Sequence, residues 1–499
     1  MMIYIAGAII LFAGCMIAWI WVQENILNDS KATTKLVTTR NPMDIRPLTA
    51  VLNKGKVGEP LVMYAPVKPK QLENDPYRLT LPVYTVPCEE RGLVIGVSGA
   101  GKTNFIMAQI ADWMKSGNSF VVTDVKPEIF GLLLANDMFE LFEYECVVIN
   151  PTDEKAHKYN MFDDVKNDND LAELLQMIVP AGNSDNNVFA DFARLMLQAT
   201  IIHLREKDGK VSLTSVFNFV TSFSSGEKYI NKLLDDGNNK VKRLTNQAKL
   251  SLASDKFVAS GINALTNALN FLNNDTIADN VASSDFLLDE YLREPKRAVF
   301  LQFEQKDMKS TETLYSTTVQ HIIRILMNNN DNRERPVFLL FDELLNGGKI
   351  EELAKKFNLI RSFNMPSFLY IQSLAGLINR YGKEEAGEII SACSLQICYR
   401  VNDNATAEEF SKFVGQSEAV RYNTSVSPHV RENGSMGEKR TQSAHAEMVN
   451  IVPKEMMTTL PSGKALCVFR GQSAIIDIPQ HWQDTPLTNK AVKVRLGDF

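Results

Sequence analysis

Residues 96–103 combine glycines, a lysine and a hydroxyl side chain in an order that could bind phosphate. The segment, GVSGAGKT, matches G-x-x-x-x-G-K-[ST] in full, and it follows an apolar run and opens a helical pattern. Glycines allow backbone N–H groups to turn towards phosphate oxygens, and a helix N-terminus adds partial positive charge. We expect Lys102 to reach the β- and γ-phosphates of ATP and the Thr103 hydroxyl to bind Mg²⁺. The residues expected to contact the nucleotide or its metal are Gly96, Ser98, Gly99, Ala100, Gly101, Lys102, Thr103 and Asp342.

A second, acidic segment fits the same chemistry. The apolar run 337–341 ends in Asp342 and Glu343, which is the Walker B arrangement. Asp342 is expected to hold Mg²⁺ through water, and Glu343 to polarise the attacking water as a general base. Enzymes that transfer phosphate to a small molecule usually lack the second acid. Glu343 therefore favours hydrolysis of ATP by water.

Two further side chains and one short segment have alternative interpretations. Gln372 ends a predicted strand, where it either contacts the γ-phosphate or the attacking water, or caps the next helix. Arg361 lies on the helix before that strand, and it is either an arginine finger for a neighbouring subunit or an exposed helix arginine. Residues 124–128 (DVKPE) end another strand, and they form either an edge of the site or a solvated turn.

The elements between these motifs predict the fold class. Strands that alternate with helices predict an α/β core with a parallel sheet. Lys102 and Asp342 are 240 residues apart (342 − 102), and the helical periodicity of residues 160–285 predicts an all-α insertion that fills this gap. Strands are predicted near 60–64 and 78–86, and at 91–95, 120–123, 146–149, 298–303, 337–341, 367–371, 395–399, 465–469 and 474–478.

Two polar stretches lie outside this pattern. The basic residues of the helical block either contact the phosphate backbone of a nucleic acid or form a solvated helix face. They are Lys240, Lys242, Arg243, Lys249 and Lys256. Residues 417–445 are rich in Ser, Asn, Gly and charged side chains, which predicts a mobile loop.

The amino-terminal segment predicts a membrane anchor. Residues 3–22 carry no charged side chain and are long enough to cross a bilayer once as a helix. A cleaved signal peptide is the alternative, but it would need a basic start and a small-residue cleavage site instead of Trp19 and Trp21. Lys31, Lys35 and Arg40 follow the apolar run, so the bulk of the chain is expected in the cytoplasm, at the inner membrane.

These patterns divide the chain into five parts. They are a transmembrane anchor (1–24), a juxtamembrane linker with leading strands (25–85), a nucleotide-binding domain (86–159 and 286–485), an inserted all-α domain (160–285) and a C-terminal tail (486–499).

Composition narrows the classes of function. The formal net charge is −6, so any contact with nucleic acid must be a local basic patch or a pore shared by several subunits. The six cysteines show no CxxC spacing, which disfavours a metal site and favours buried free thiols in a reducing compartment.

From about residue 88 to 482, the order of motifs resembles the VirD4/TraG-type coupling proteins of type IV secretion and conjugation systems. The resemblance implies a RecA-like motor domain, the inserted all-α domain and a hexameric ring. It also implies that Lys102, Thr103, Asp342, Glu343 and Gln372 lie at the nucleotide, and that Arg361 matches an arginine acting in trans. The motifs are the glycine-rich loop at 96–103, DVKPE at 124–128, NP at 150–151, YN at 159–160, FADFARLMLQATIIHL at 189–204, SSDFLLDEYL at 283–292, FDELLNGGKI at 341–350, IQS at 371–373 with Leu377, YG at 381–382, and LPSGKAL at 460–466.

The resemblance also implies partners. Members of this family recruit relaxase-bound single-stranded DNA or effector proteins to a secretion channel in the membrane. Two departures stand out: one predicted membrane helix where members commonly have two, and Pro127 where the family motif D-P-K-G-E has glycine. The competing hypotheses are a double-stranded DNA translocase of the FtsK or HerA kind and a non-catalytic assembly scaffold. The intact Lys102 and Glu343 argue against a scaffold.

Overall fold

The computed structural model describes residues 35–38, 61–64, 83–86, 90–181, 187–252, 255–328, 336–363, 365–430 and 436–478. These residues form two compact units. The smaller unit holds 35–38, 409–430 and 436–453, and the larger holds the others. Within the described residues no helix is long and apolar enough to cross a membrane. The predicted anchor at residues 3–22 lies outside them.

The larger unit is organised around one mixed sheet. The strands of the described residues are β1 (Lys35–Thr38), β2 (Leu61–Tyr64), β3 (Val83–Val86), β4 (Arg91–Ile95), β5 (Phe120–Thr123), β6 (Glu145–Ile149), β7 (Arg297–Leu301), β8 (Phe338–Phe341), β9 (Ser367–Ile371), β10 (Leu395–Cys398), β11 (Gln416–Val430), β12 (Met436–Asn450), β13 (Lys464–Phe469) and β14 (Gln472–Asp477). Nine of them form the mixed sheet, in the order β14-β13-β10-β4-β9-β8-β5-β7-β6. The strands from β10 to β6 in this order run parallel, and β13 and β14 are antiparallel. A separate antiparallel pair joins β2 and β3.

The central strands are apolar along their whole length because both faces of the sheet are covered. Every residue of β5, β8 and β9 is buried, as expected for parallel strands between layers of helices. The predicted strands at 91–95, 120–123 and 367–371 are found with these bounds. Those predicted near 60–64 and 78–86 match β2 and β3 as far as the structure describes them, and the others shift by one or two residues at one or both ends. The parallel sheet predicted from the alternation of strands and helices is therefore confirmed, with an antiparallel hairpin added at one edge.

Helices cover the sheet and fill the interval between β6 and β7, where the described residues contain helices and no strand. The helices are α1 (Lys102–Ser116), α2 (Ile129–Ala135), α3 (Met138–Phe142), α4 (Asp168–Ile178), α5 (Asn187–Asp208), α6 (Leu213–Thr221), α7 (Gly226–Asp236), α8 (Asn239–Leu250), α9 (Asp255–Ala268), α10 (Asp275–Asn280), α11 (Leu288–Arg293), α12 (Met308–Asn328), α13 (Leu353–Ile360), α14 (Leu374–Tyr381), α15 (Lys383–Ala392), α16 (Asn404–Val414) and α17 (Lys454–Thr459).

Aromatic contacts hold α1 against the sheet. The ring centroid of Trp113 lies 5.2 Å from that of Phe338 on β8, and Phe105 lies 6.3 Å from Phe368 on β9. Such pairs contribute about 0.5–1.5 kcal/mol each beyond the area they bury. Because α1 begins where the glycine-rich loop ends, these contacts also position the loop.

The prediction of a mobile loop at 417–445 is wrong for the residues that the structure describes in the smaller unit. This segment forms most of a long hairpin in which β11 pairs with β12 from Gln416–Asn450 to Val430–Met436. The strand β1, inside the predicted juxtamembrane linker, pairs with β11. The hairpin carries polar residues at most positions of both strands, and most of its side chains at 443–450 are exposed. It therefore lacks the apolar alternation by which strands are recognised in a sequence.

The helix expected over about 350–363, with Arg361 on it, is shorter in the structure. Turns occupy the residues immediately after Glu343, α13 begins only at Leu353, and a single 3-10 turn follows at Arg361–Phe363. Gly347 and Gly348 lie in the turns before α13. A Cβ at either position would approach Tyr315 or the Glu312 carbonyl to less than 3.0 Å, so the chain passes close to α12 here.

Candidate nucleotide-binding site

The glycine-rich loop joins β4 to α1 through two left-handed residues. Gly99 has φ 76° and Gly101 has φ 113°, values that favour glycine. Gly96 is required for another reason, because a Cβ there would lie 2.7 Å from the Cβ of Tyr399. Gly101 is the N-cap of α1 and provides no side-chain hydrogen bond. The first N–H groups of this helix therefore have no side-chain cap.

Lys102 is buried at the start of α1. Its Nζ donates to the Gly96 carbonyl at 2.7 Å and to the Val97 carbonyl at 3.3 Å. Burial lowers the pKa of its ammonium, and the carboxylates of Glu343 and Asp342 oppose that shift. The lysine of the loop and the two acids therefore belong to one electrostatic environment. Thr103 follows in the first turn of α1 and is half-buried.

The two acids follow β8, at the same edge of the sheet as the glycine-rich loop. Both are buried, and Glu343 has φ 50°, a left-handed conformation that is uncommon outside glycine. Burial raises the pKa of the Asp342 carboxyl to about 7, with smaller contributions from Asp124 and Glu343 in the same direction. A carboxylate disfavoured as an anion in this way is one that a cation would stabilise.

Three side chains donate hydrogen bonds to the Glu343 carboxylate. Lys126 Nζ lies 2.6 Å from Oε1. Asn346 Nδ2 and, at 3.4 Å, Gln372 Nε2 donate to Oε2. The donors come from after β5, after β8 and after β9, which are neighbours in the sheet. The carboxyl ends of parallel strands meet at one edge, so side chains distant in sequence converge there.

The segment 124–128 combines a buried start at the edge of the site with an exposed turn at Pro127 and Glu128. Asp124 is fully buried, and its carboxylate accepts the backbone N–H groups of Glu128, Ile129 and Phe130, which fixes the start of α2. Burial raises the pKa of this carboxyl to about 6, and the hydrogen bonds oppose the shift. The same turn carries Lys126 to Glu343.

Gln372 and Arg361, the two remaining candidates, lie in different parts of the structure. Gln372 contacts Glu343, whereas the cap of α14 is Ser373, whose hydroxyl accepts the Gly376 N–H at 3.1 Å. The capping alternative for Gln372 is therefore wrong. Arg361 begins the 3-10 turn after α13, and its side chain lies outside what the structure describes. Lys126 and Asn346 were missed as contacts of Glu343, although a basic residue inside DVKPE, at a strand end, was a signal for the first.

The basic residues of the helical block do not form one stripe. Val241, Thr245 and Ala248 make the buried face of α8. At about 100° per residue, Lys242 and Lys249 lie on one flank of that face and Lys240 on the other. Lys240 pairs with Asp168 at 2.5 Å. This distribution favours the solvated-face interpretation.

Three observations indicate that the site can bind a nucleotide together with its metal ion. The N-terminus of α1 is uncapped, the loop glycines keep side chains away from it, and hydroxyl and carboxylate oxygens of Thr103 and Asp342 are ligands of the kind that Mg²⁺ prefers. A mostly parallel α/β sheet with this loop after one strand and an Asp-Glu pair after another is the arrangement of P-loop nucleotide-binding proteins.

The chain belongs to the type IV secretory system conjugative DNA transfer family, whose model matches residues 49–486. It is 24% identical over 357 residues to the conjugal transfer protein TraG of Escherichia coli, covering 65% of this chain and 54% of that protein. It is 23% identical over 360 residues to the protein VirD4 of Rhizobium radiobacter, covering 68% and 50%. The chain spans about half the length of these curated relatives.

Solved structures of the plasmid coupling protein TrwB share the fold. The complex with a non-hydrolysable ATP analogue has a TM-score of 0.64 at 18% identity, covering 90% of this chain and 95% of that one. The complex with ADP and Mg²⁺ has a TM-score of 0.62 at 17% identity, covering 90% and 95%. The predicted family resemblance is confirmed.

Proposed function

We propose that this chain is an ATPase that couples ATP hydrolysis to the transfer of relaxase-bound single-stranded DNA or effector proteins into a type IV secretion channel. The observation that carries the proposal is the convergence of Lys102, Asp342 and Glu343 at one edge of the sheet, in a chain of the conjugative DNA transfer family. The TrwB complexes with an ATP analogue and with ADP and Mg²⁺ support the choice of ligand. Family membership favours this function over an FtsK- or HerA-like translocase.

The proposed chemistry assigns a task to each group. The N–H groups of the loop and the Lys102 ammonium bind the phosphates. Thr103 and Asp342 hold Mg²⁺, which when bound neutralises charge on the phosphate oxygens. Glu343 accepts a proton from the attacking water while the water oxygen bonds to the γ-phosphorus. The bond between the γ-phosphorus and the β–γ bridging oxygen breaks, and that oxygen leaves with ADP. Gln372, which contacts Glu343, orients that water.

Residues 86–159 and 286–485 are proposed as the motor domain, and 160–285 as the inserted all-α domain. The absence of strands from the described residues between β6 and β7 supports this division. The residues 317–324 of α12 connect the two parts: Thr317 Oγ1 donates to the Met177 carbonyl at 3.1 Å, and Arg324 forms ion pairs with Asp170 and Glu173.

The decisive measurement is ATP turnover with and without DNA. The wild-type protein is expected to hydrolyse ATP faster when single-stranded DNA is added, and Lys102→Ala is expected to lose tight nucleotide binding because the phosphates lose a counter-charge. Stimulation by double-stranded DNA alone would favour the translocase instead. Absence of both ATP binding and turnover in the wild-type protein would refute the proposal.

A single-pass anchor in the inner membrane, with the bulk of the chain in the cytoplasm, is the proposed location. The charge-free apolar run at 3–22 supports it. The full chain is expected to sediment with membranes. A chain that begins at residue 25 is expected to stay in the soluble fraction and to bind ATP with unchanged affinity, because anchor and motor are separate units. A full chain recovered in the soluble fraction would contradict the anchor.

A further inference from the structure

Lys126 is the second ammonium group at the nucleotide-binding edge. It lies three residues after the end of β5, and its Nζ is 2.6 Å from Glu343 Oε1. The hydrogen bond to Glu343 is the main cause that raises the pKa of Lys126. Its charge in turn lowers the pKa of Lys102, so both ammonium groups share the field of the crevice.

The two lysines differ in how tightly the fold holds them. Lys102 is buried and donates to two carbonyl groups of the loop. The Lys126 side chain is 38% exposed, whereas that of Glu343 is only 8% exposed. A lysine stem that reaches into solvent can rotate without repacking the core. The Glu343 carboxylate meanwhile stays in place, because Asn346 and Gln372 hold its other oxygen.

The position of the ion pair matters because Glu343 is the proposed general base. A base must lie within about 2.6–3.2 Å of the water it deprotonates, and that water lies next to the γ-phosphate. An ammonium bonded to the base is therefore close to the γ-phosphate oxygens. A γ-phosphate carries more negative charge than a carboxylate, so it competes well for an ammonium group.

We infer that Lys126 exchanges partners during the ATP cycle: its ammonium binds Glu343 Oε1 before ATP enters and a γ-phosphate oxygen afterwards. The exchange leaves Oε1 available to the attacking water, and it places a cation from the same chain beside the developing charge on the phosphate. Lys126 thus distinguishes ATP from ADP, because ADP has no γ-phosphate to bind it. This inference deepens the proposed function and rests on it.

The test compares nucleotide binding with turnover in matched variants. Lys126→Ala is expected to bind ADP with nearly wild-type affinity, to bind a non-hydrolysable ATP analogue about 10- to 100-fold more weakly, and to lose about 10- to 100-fold in kcat, the range for a lost charged hydrogen bond. Lys126→Arg is expected to recover part of both. Lys296→Ala is the control. Lys296 pairs with Glu143 at the same 2.6 Å and is 39% exposed. It lies directly before β7, at the amino end of that strand and away from the nucleotide-binding site.

The possible outcomes separate this inference from the function on which it rests. Equal weakening of ADP and analogue binding in Lys126→Ala, with a lowered Tm, would mean that the lysine only braces the fold. Wild-type affinity for the analogue and wild-type kcat would also overturn the inference. If the wild-type protein turns over ATP and Lys102→Ala does not, the proposed ATPase activity stands in either case. If even the wild-type protein does not hydrolyse ATP, the binding comparison still decides whether Lys126 recognises the γ-phosphate.

Discussion

Replacing Glu343 with glutamine is expected to leave ATP bound and to slow its hydrolysis by about 10²–10⁴-fold, the range for a lost general base. Glutamine keeps the size of the side chain but cannot accept the proton of the attacking water. The phosphate contacts of the loop and Lys102 remain, so affinity for ATP should change little. Equilibrium binding of a fluorescent ATP analogue and steady-state release of phosphate measure the two quantities separately.

Glu352→Gln is a matched control for this substitution. Glu352 also has a left-handed backbone, with φ 53°, and also pairs with a lysine, Lys355, at 2.5 Å, but it lies outside the site. Its glutamine variant should hydrolyse ATP at the wild-type rate. Wild-type turnover in Glu343→Gln would show that this carboxylate is not the general base.

Arg361→Ala is expected to bind ATP nearly normally and to hydrolyse it at least about 10³-fold more slowly, the range for a lost arginine finger. We propose that the chain forms a ring, six subunits by family resemblance, in which Arg361 reaches the nucleotide of the adjoining subunit. The residue follows α13, 18 residues beyond Glu343 (361 − 343). Arg243→Ala, at an exposed position on α8, is the control and should leave turnover unchanged.

Mixing variants tests whether Arg361 acts in trans. Arg361→Ala mixed with Lys102→Ala is expected to recover some turnover, because one kind of mixed interface carries both an intact loop and an intact arginine. Wild-type turnover by Arg361→Ala alone, or full activity in a strictly monomeric preparation, would exclude the role in trans. Lys126, the proposed cation in cis, should not be complemented in this way, so the mixing experiment also separates the two cations.

Local features of the sequence determined the nucleotide-binding loop, the two acids after an apolar run and most of the strands. Each of these is encoded by neighbours in the chain. Gly99 and Gly101 are required by left-handed turns within the loop itself, and β8 and β9 are recognisable because burial on both faces demands continuous apolar residues. The order of these motifs was also enough to predict the family.

Only the tertiary structure decided which side chains meet. Lys126 and Glu343 are 217 positions apart in sequence, and they meet because β5 and β8 are parallel neighbours in the sheet. Strand order is a property of the whole sheet, and no local spacing encodes it. The hairpin of β11 and β12 was not predicted for a related reason. Backbone pairing between the two strands stabilises it, whereas the composition of either strand alone resembles that of a loop.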